Sequence, residues 1–215
     1  MNTIRLFLLA TFAALALAIA PSASAQATDA PAEGRDYVRI EGGLPFHGDA
    51  RRIEVAEVFA YWCHHCHAFE PLVAQWKTRL PADVRFVQVP AAFDANDPFA
   101  RATFAARRLK LPASVHDALF RAIHVDRSLS PNANAAALAQ FHAGHGVDAA
   151  RFLAEMDSPG VSTQMRWARK FAELSGVEGT PTLIVDGRYR VLGRSHQDAI
   201  RIADQLIAQL RAQRR

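Results

Sequence analysis

Cys63-His64-His65-Cys66 holds the chain's only two cysteines, three positions apart, with two imidazoles between them. The stretch lies between a strand-like run, Val55 to Trp62, and a segment with helical periodicity. On a helix, side chains at i and i+3 stand one above the other with β-carbons about 5–6 Å apart, within reach of a disulfide. So small a loop removes little entropy from the unfolded chain, which disfavours a purely structural bridge and favours a bond that opens and closes.

A sulfur at a helix start faces backbone N–H groups without intrahelical partners and the positive end of the helix dipole. Both favour thiolate over thiol. Cys63 is therefore expected to ionise more readily than free cysteine. The thiolate exists only in the reduced state, so stabilising it makes the disulfide easier to reduce, and a strong oxidant is expected. Cys66, one turn further in, is expected to be more buried and less acidic, and to resolve mixed disulfides formed at Cys63. His64 and His65 are expected to act on the dithiol through N–H donors or positive charge, whereas His67 reads as solvated surface. His47, His116, His124, His142, His145 and His196 are scattered and read as structural or exposed.

Cysteine and histidine are also zinc ligands, so a metal centre is the chemical rival. Only two thiols are available, neighbouring histidines point in different directions, and no second Cys-x-x-Cys accompanies them, so redox chemistry is preferred and no metal is expected. Glu57 has two readings: a buried acid of raised pKa that carries a proton for Cys66, or a carboxylate at a solvated strand edge. Glu70, four positions after Cys66, is either a second carboxylate below the dithiol or a surface residue. Gly179-Thr180-Pro181-Thr182, taken alone, reads as a loop with an ordinary trans proline.

The elements that must hold these groups follow from periodicity. Tyr37–Ile40 opens the folded part. Ile53–Trp62, rich in β-formers, reads as a central strand buried on both faces. Phe69, Leu72, Val73, Trp76 and Leu80 make one stripe of a helix, with a kink expected at Pro71. Val84–Val89 is a second strand, giving a parallel βαβ unit. Helices are expected over Asp97–Leu109, Ser114–Val125, Asn132–Ala143, Asp148–Met156 and Val161–Leu174. Thr182–Val185, a turn at Asp186-Gly187 and Arg188–Leu192 form a hairpin, and a last helix buries Ile200, Ala203, Leu206, Ile207 and Leu210. The fold class is α/β: a thioredoxin-like domain over 37–95 and 177–215, interrupted by an all-helical insertion over 96–176.

The N-terminus reads as a cleaved signal peptide over 1–25. Arg5 precedes an apolar core from Leu6 to Ala20, too short to span a bilayer, and Ala23-Ser24-Ala25 ends it. Removal leaves 190 residues with a flexible lead-in over 26–36. A hydrophobic content of 50% argues for a globular fold, and a formal charge of +4 (+3 without Arg5) is spread along the chain, so no nucleic-acid surface is expected.

Phe59-Ala60-Tyr61-Trp62-Cys63-His64-His65-Cys66-His67-Ala68-Phe69-Glu70-Pro71 resembles the active-site segment of the DsbA family of bacterial periplasmic thiol-disulfide oxidoreductases. Gly179-Thr180-Pro181, followed by Val185-Asp186-Gly187-Arg188-Tyr189, resembles that family's cis-proline loop and hairpin. The resemblance implies that Cys63 is the exposed nucleophile, Cys66 the buried cysteine, and Pro181 a cis-proline facing the disulfide. It implies that Thr180 offers its backbone to an extended substrate, and that Glu57 and Glu70 are the acidic positions near the dithiol. Two features depart from the family pattern: His64-His65 replaces the commoner Pro-His dipeptide, and Gln88 falls where some members carry a lysine that partners the buried glutamate.

The activity so implied is donation of the Cys63–Cys66 disulfide to exported, unfolded proteins with free thiols, by a periplasmic monomer. A DsbB-like, quinone-linked membrane oxidase would restore the disulfide, and no cofactor beyond the disulfide is expected. The alternatives are an isomerase or reductase of the DsbC or DsbG type, for which too little chain precedes Ile53 to hold a dimerisation domain, and a periplasmic metal-binding chaperone.

Overall fold

The computed structural model describes residues 30–48 and 51–214. The expected signal peptide, and the start of the lead-in, lie outside the described residues. In chain order the elements are β1 (Tyr37–Arg39), β2 (Ile53–Phe59), α1 (His64–Lys77) and β3 (Val84–Pro90). Five helices follow: α2 (Pro98–Arg108), α3 (Ser114–His124), α4 (Ala135–Ala143), α5 (Ala149–Met156) and α6 (Pro159–Leu174). β4 (Thr182–Val185), β5 (Tyr189–Val191) and α7 (His196–Gln213) complete the chain.

The strands form one sheet in the order β1-β5-β4-β2-β3. β2 and β3 are parallel, joined through α1, while the remaining neighbours are antiparallel. All seven residues of β2 are buried, as a strand covered on both faces requires. Ile53 and Val55 pack with Phe69, Val73 and Trp76 of α1 and with Ile202 and Leu206 of α7. Ala56, Val58 and Phe59 pack instead with the helices between β3 and β4, including Phe99, Phe120 and Phe171.

Three expectations are corrected. β2 ends at Phe59 and not at Trp62, because the Cys63 N–H donates back to the Ala60 carbonyl at 3.1 Å and turns the chain into α1. α1 runs through Pro71 and stops at Lys77, so Leu80 lies beyond it. The described end of the lead-in is tied down: Pro31 is buried, the Ala32 N–H donates to the Asp36 carboxylate at 2.8 Å, and the Leu192 N–H donates to the Asp36 carbonyl at 2.8 Å. At the hairpin, Asp186 and Gly187 both have positive φ, 56° and 66°. A β-carbon at Gly187 would meet the Leu44 carbonyl carbon at 2.1 Å, so that turn admits only glycine there.

Candidate active site

Cys63 is the N-cap of α1. α2, α4, α5, α6 and α7 are capped by Asp97, Asn134, Asp148, Ser158 and Ser195, whose side chains accept from first-turn N–H groups. Cys63 makes no such bond, and the first turn of α1 holds no acidic residue. The unpaired N–H groups and the dipole of α1 are therefore left to the sulfur.

Both cysteines are free thiols, Cys63 8% exposed and Cys66 0%. The outer cysteine is thus the more accessible, although less open than the word exposed implies. The Cys63 thiol donates to the Thr180 carbonyl at 3.3 Å, and the Thr180–Pro181 bond is cis. The loop read from sequence alone as trans is corrected, in the sense the resemblance implied. The Cys66 sulfur accepts from the Ala60 N–H at 3.5 Å, and burial pushes its thiol far above the ordinary range, with the neighbouring Cys63 adding to the effect.

His64 and His65 are exposed, their rings 3.9 Å apart. His65 lines a cavity of about 460 Å³ together with Phe69, Thr180, Pro181, Arg194 and His196, directly beside the dithiol. His67 is not solvated surface. It is half-buried and stacked on His124 (4.9 Å, 13°), and burial, with the neighbouring His124, holds its pKa below the usual value. His124 Nε2 in turn donates to the Tyr61 carbonyl at 2.7 Å, tying α3 to the turn before Cys63.

Two glutamates of β2 show how hydrogen-bond partners decide a buried carboxylate's state. Glu54 pairs in register with Arg85 and Glu57 with Gln88. Glu54, 1% exposed, accepts from the Arg85 guanidinium at 2.9 Å and from the Phe46 and His47 N–H groups. Burial opposes its ionisation, but the His47 and Phe46 hydrogen bonds outweigh it and hold the pKa below the usual value. Glu57, 0% exposed, has only the Gln88 amide at 3.3 Å, and its Oε1 has no hydrogen-bond partner among the described residues. Burial, then repulsion from Glu70, raise its pKa to about 8. The buried reading of Glu57 therefore holds and the solvated-edge reading does not.

Glu70 is half-buried and belongs to the same network. Its Oε1 accepts from Gln88 Nε2 at 2.9 Å and lies 3.1 Å from His116 Nε2. His116, read from sequence as scattered, also contacts the Tyr61 hydroxyl through Nδ1 at 2.7 Å. No local pattern reveals it, since α3 meets α1 only in the folded chain. Gln88, singled out in the sequence by the resemblance alone, is the register partner of Glu57.

A dithiol at a helix N-terminus, set against a cis-proline loop on a mixed sheet, defines a thioredoxin-like thiol-disulfide oxidoreductase. Comparison with known proteins narrows this. The family model described as "DSBA-like thioredoxin domain" matches residues 88–203. The chain is 37% identical over 204 residues to the thiol:disulfide interchange protein DsbA of Pseudomonas aeruginosa, covering 93% of this chain and 95% of that protein. It is 36% identical over 212 residues to its namesake in Bordetella parapertussis, covering 96% of each. The crystal structure of the oxidoreductase DsbA from Xylella fastidiosa superposes with a TM-score of 0.82 at 43% identity, covering 85% of this chain and 99% of that one. The chain belongs to the DsbA family.

Proposed function

We propose that this protein donates its Cys63–Cys66 disulfide to exported, unfolded proteins with free thiols. The single observation that carries the reading is the position of the Cys63 sulfur: at the uncapped start of α1 and 3.3 Å from the Thr180 carbonyl. A substrate thiolate attacks Cys63 Sγ, the Cys63–Cys66 bond breaks, and Cys66 leaves with the bonding electrons. Buried Cys66 retains charge poorly and takes a proton, and Glu57, protonated at neutral pH, is the adjacent acid. A second substrate thiolate then attacks the substrate sulfur of the mixed disulfide and expels Cys63 as a thiolate, which the N–H groups of α1 receive.

Thr180 and Pro181 bind an extended substrate segment along the loop edge, next to the cavity lined by His65 and His196. His64 and His65 tune the potential, and Glu70 acts with Glu57. The thioredoxin-like part spans 37–95 and 177–215, and the helical part 96–176 packs on Ala56, Val58 and Phe59 of β2. The compartment is the periplasm, reached by the signal at 1–25, and the working form is a monomer. A DsbB-like, quinone-linked membrane oxidase returns the disulfide. Among the described residues no helix is long and apolar enough to cross a membrane.

The test incubates the oxidised protein with a reduced, unfolded protein that needs disulfides. Wild type is expected to oxidise it stoichiometrically; Cys66→Ala, first joined at Cys63 to glutathione by oxidised glutathione, is expected to exchange that glutathione for a substrate thiol and hold the mixed disulfide seen by mass spectrometry, and Cys63→Ala to do neither. Rearrangement of scrambled disulfides without net oxidation would point to the isomerase instead.

A further inference from the structure

We propose that Arg194 is a specificity-determining residue: it favours exported proteins whose reactive cysteine is flanked by aspartate or glutamate. This rests on the disulfide-donor reading and names the clients that reading leaves open.

The cavity of about 460 Å³ beside the dithiol opens between His65 of α1 and the Thr180–Pro181 loop, so the client chain flanking an attacking cysteine lies against it. Phe69 and Pro181 give it apolar surface, and its charged or titratable lining consists of His65, His196 and Arg194. No carboxylate lines it among the described residues, and Glu178, two positions before Thr180, is outside the lining. Burial, then the neighbouring His65, hold the pKa of His196 below the usual value, so at neutral pH the permanent charge on the cavity is the Arg194 guanidinium.

That charge is only partly answered within the protein. Arg194 Nε lies 3.5 Å from Asp198 Oδ2, at the long limit of a hydrogen bond. Asp198 Oδ2 accepts more closely from the Arg194 backbone N–H, at 3.0 Å, and Oδ1 accepts from Arg201 Nε at 3.0 Å and Nη2 at 2.7 Å. The carboxylate is thus engaged mainly by Arg201 and the backbone. The Arg194 side chain is 86% exposed, and its two terminal NH2 groups have no partner among the described residues. A planar fork of this kind matches a carboxylate.

In an extended client segment alternate side chains share a face, so the second residue on either side of the attacking cysteine points, like the cysteine, towards this protein. An acidic side chain there meets the Arg194 fork, whereas a lysine meets a like charge.

The test measures the second-order rate at which peptides reduce the oxidised full-length mature protein at pH 7.5. Each peptide has two cysteines, with Glu, Gln or Lys at the second position on either side of each. One peptide thiolate attacks Cys63 Sγ and joins it, and Cys66 leaves with the bonding electrons and takes a proton. The second peptide thiolate then attacks the first peptide sulfur, closes the peptide disulfide and expels Cys63 as thiolate. Each rate is divided by that peptide's rate with an uncharged small disulfide, which removes the reactivity of its own thiols. The Glu peptide is expected to react about two- to fivefold faster than the Gln peptide, the range of one exposed ion pair, and the Lys peptide more slowly than either. Arg194→Lys is expected to keep the order, Arg194→Gln to abolish the preference and Arg194→Glu to invert it. Lys170→Glu, an equal change of net charge on α6 away from the cavity, is expected to keep it. Equal normalised rates for the three peptides with wild type would overturn the proposal. So would a preference that survives Arg194→Glu, or one that Lys170→Glu removes as completely. Failure of the donor reading shows separately, as oxidised wild type that leaves all three peptides and the unfolded substrate reduced.

Discussion

Glu57 and Glu54 sit three residues apart on one strand, both out of reach of water, and differ in ionisation because His47 and Phe46 donate to Glu54 while Glu57 has only the Gln88 amide. The consequence for Glu57 is thermodynamic as well as catalytic. Its folded pKa of about 8 lies above the ordinary 4.5, so the folded state keeps a proton that the unfolded chain has released. Stability from this group is therefore whole below pH 4.5, declines as pH rises, and levels off above 8. Glu57→Gln is expected to flatten that decline, which in wild type is on the order of a few kcal/mol. Urea unfolding at pH 5, 6.5 and 8 measures it, and parallel curves for the two proteins would count against the assignment. The same substitution is expected to slow protonation of departing Cys66.

At the scale of elements, the helices between β3 and β4 carry a titratable group of the opposite sign. His142 of α4 is 2% exposed, donates from Nδ1 to the Leu138 carbonyl at 2.7 Å and stacks on Phe152 of α5 at 4.0 Å. Burial lowers its pKa to about 4, so it is neutral when folded. The stability it supports is present above the unfolded value of about 6.5 and is lost as pH falls towards 4, because only the unfolded chain charges freely. Relative to intrinsic exchange at each pH, amide exchange in α4 and α5 is expected to accelerate at pH 5 compared with pH 7, while that of β2 and β4 holds. His142→Phe, which keeps the stack, is expected to remove most of this acid sensitivity. Acceleration spread evenly over sheet and helices would show that the helical layer does not open on its own.

In the whole molecule, two cores meet at the dithiol. One lies between the sheet and α1 with α7, where the Trp76 indole also donates to Asp204 at 2.7 Å. The other joins β2 to the helical segment and includes both cysteines. Redox state and global stability are therefore linked. If the helix start favours the Cys63 thiolate, the reduced protein is the more stable form, by about 1.4 kcal/mol for every 30 mV by which its potential exceeds that of an unstrained disulfide. The reduced protein is expected to unfold at a higher urea concentration than the oxidised protein at pH 7. The reverse order would mean that the disulfide acts as a staple and not as an oxidant.

Periodicity and spacing were enough for the elements. The stripe of α7, the five helices between β3 and β4 and the hairpin all follow from patterns within one segment, because a side chain's face is set by its position along a helix or strand. The dithiol was legible for the same reason, both sulfurs lying on one turn of α1. Contacts between segments were not. Whether Glu57 was buried depended on what covered β2. The isomer at Pro181 was not legible in its own loop, where trans is the ordinary form. His116 reaches Glu70 only when α3 packs on α1, and His67 leaves solvent only when His124 stacks on it. Burial and electrostatics depend on which groups lie within a few ångströms, and for residues far apart in the chain only tertiary packing decides that.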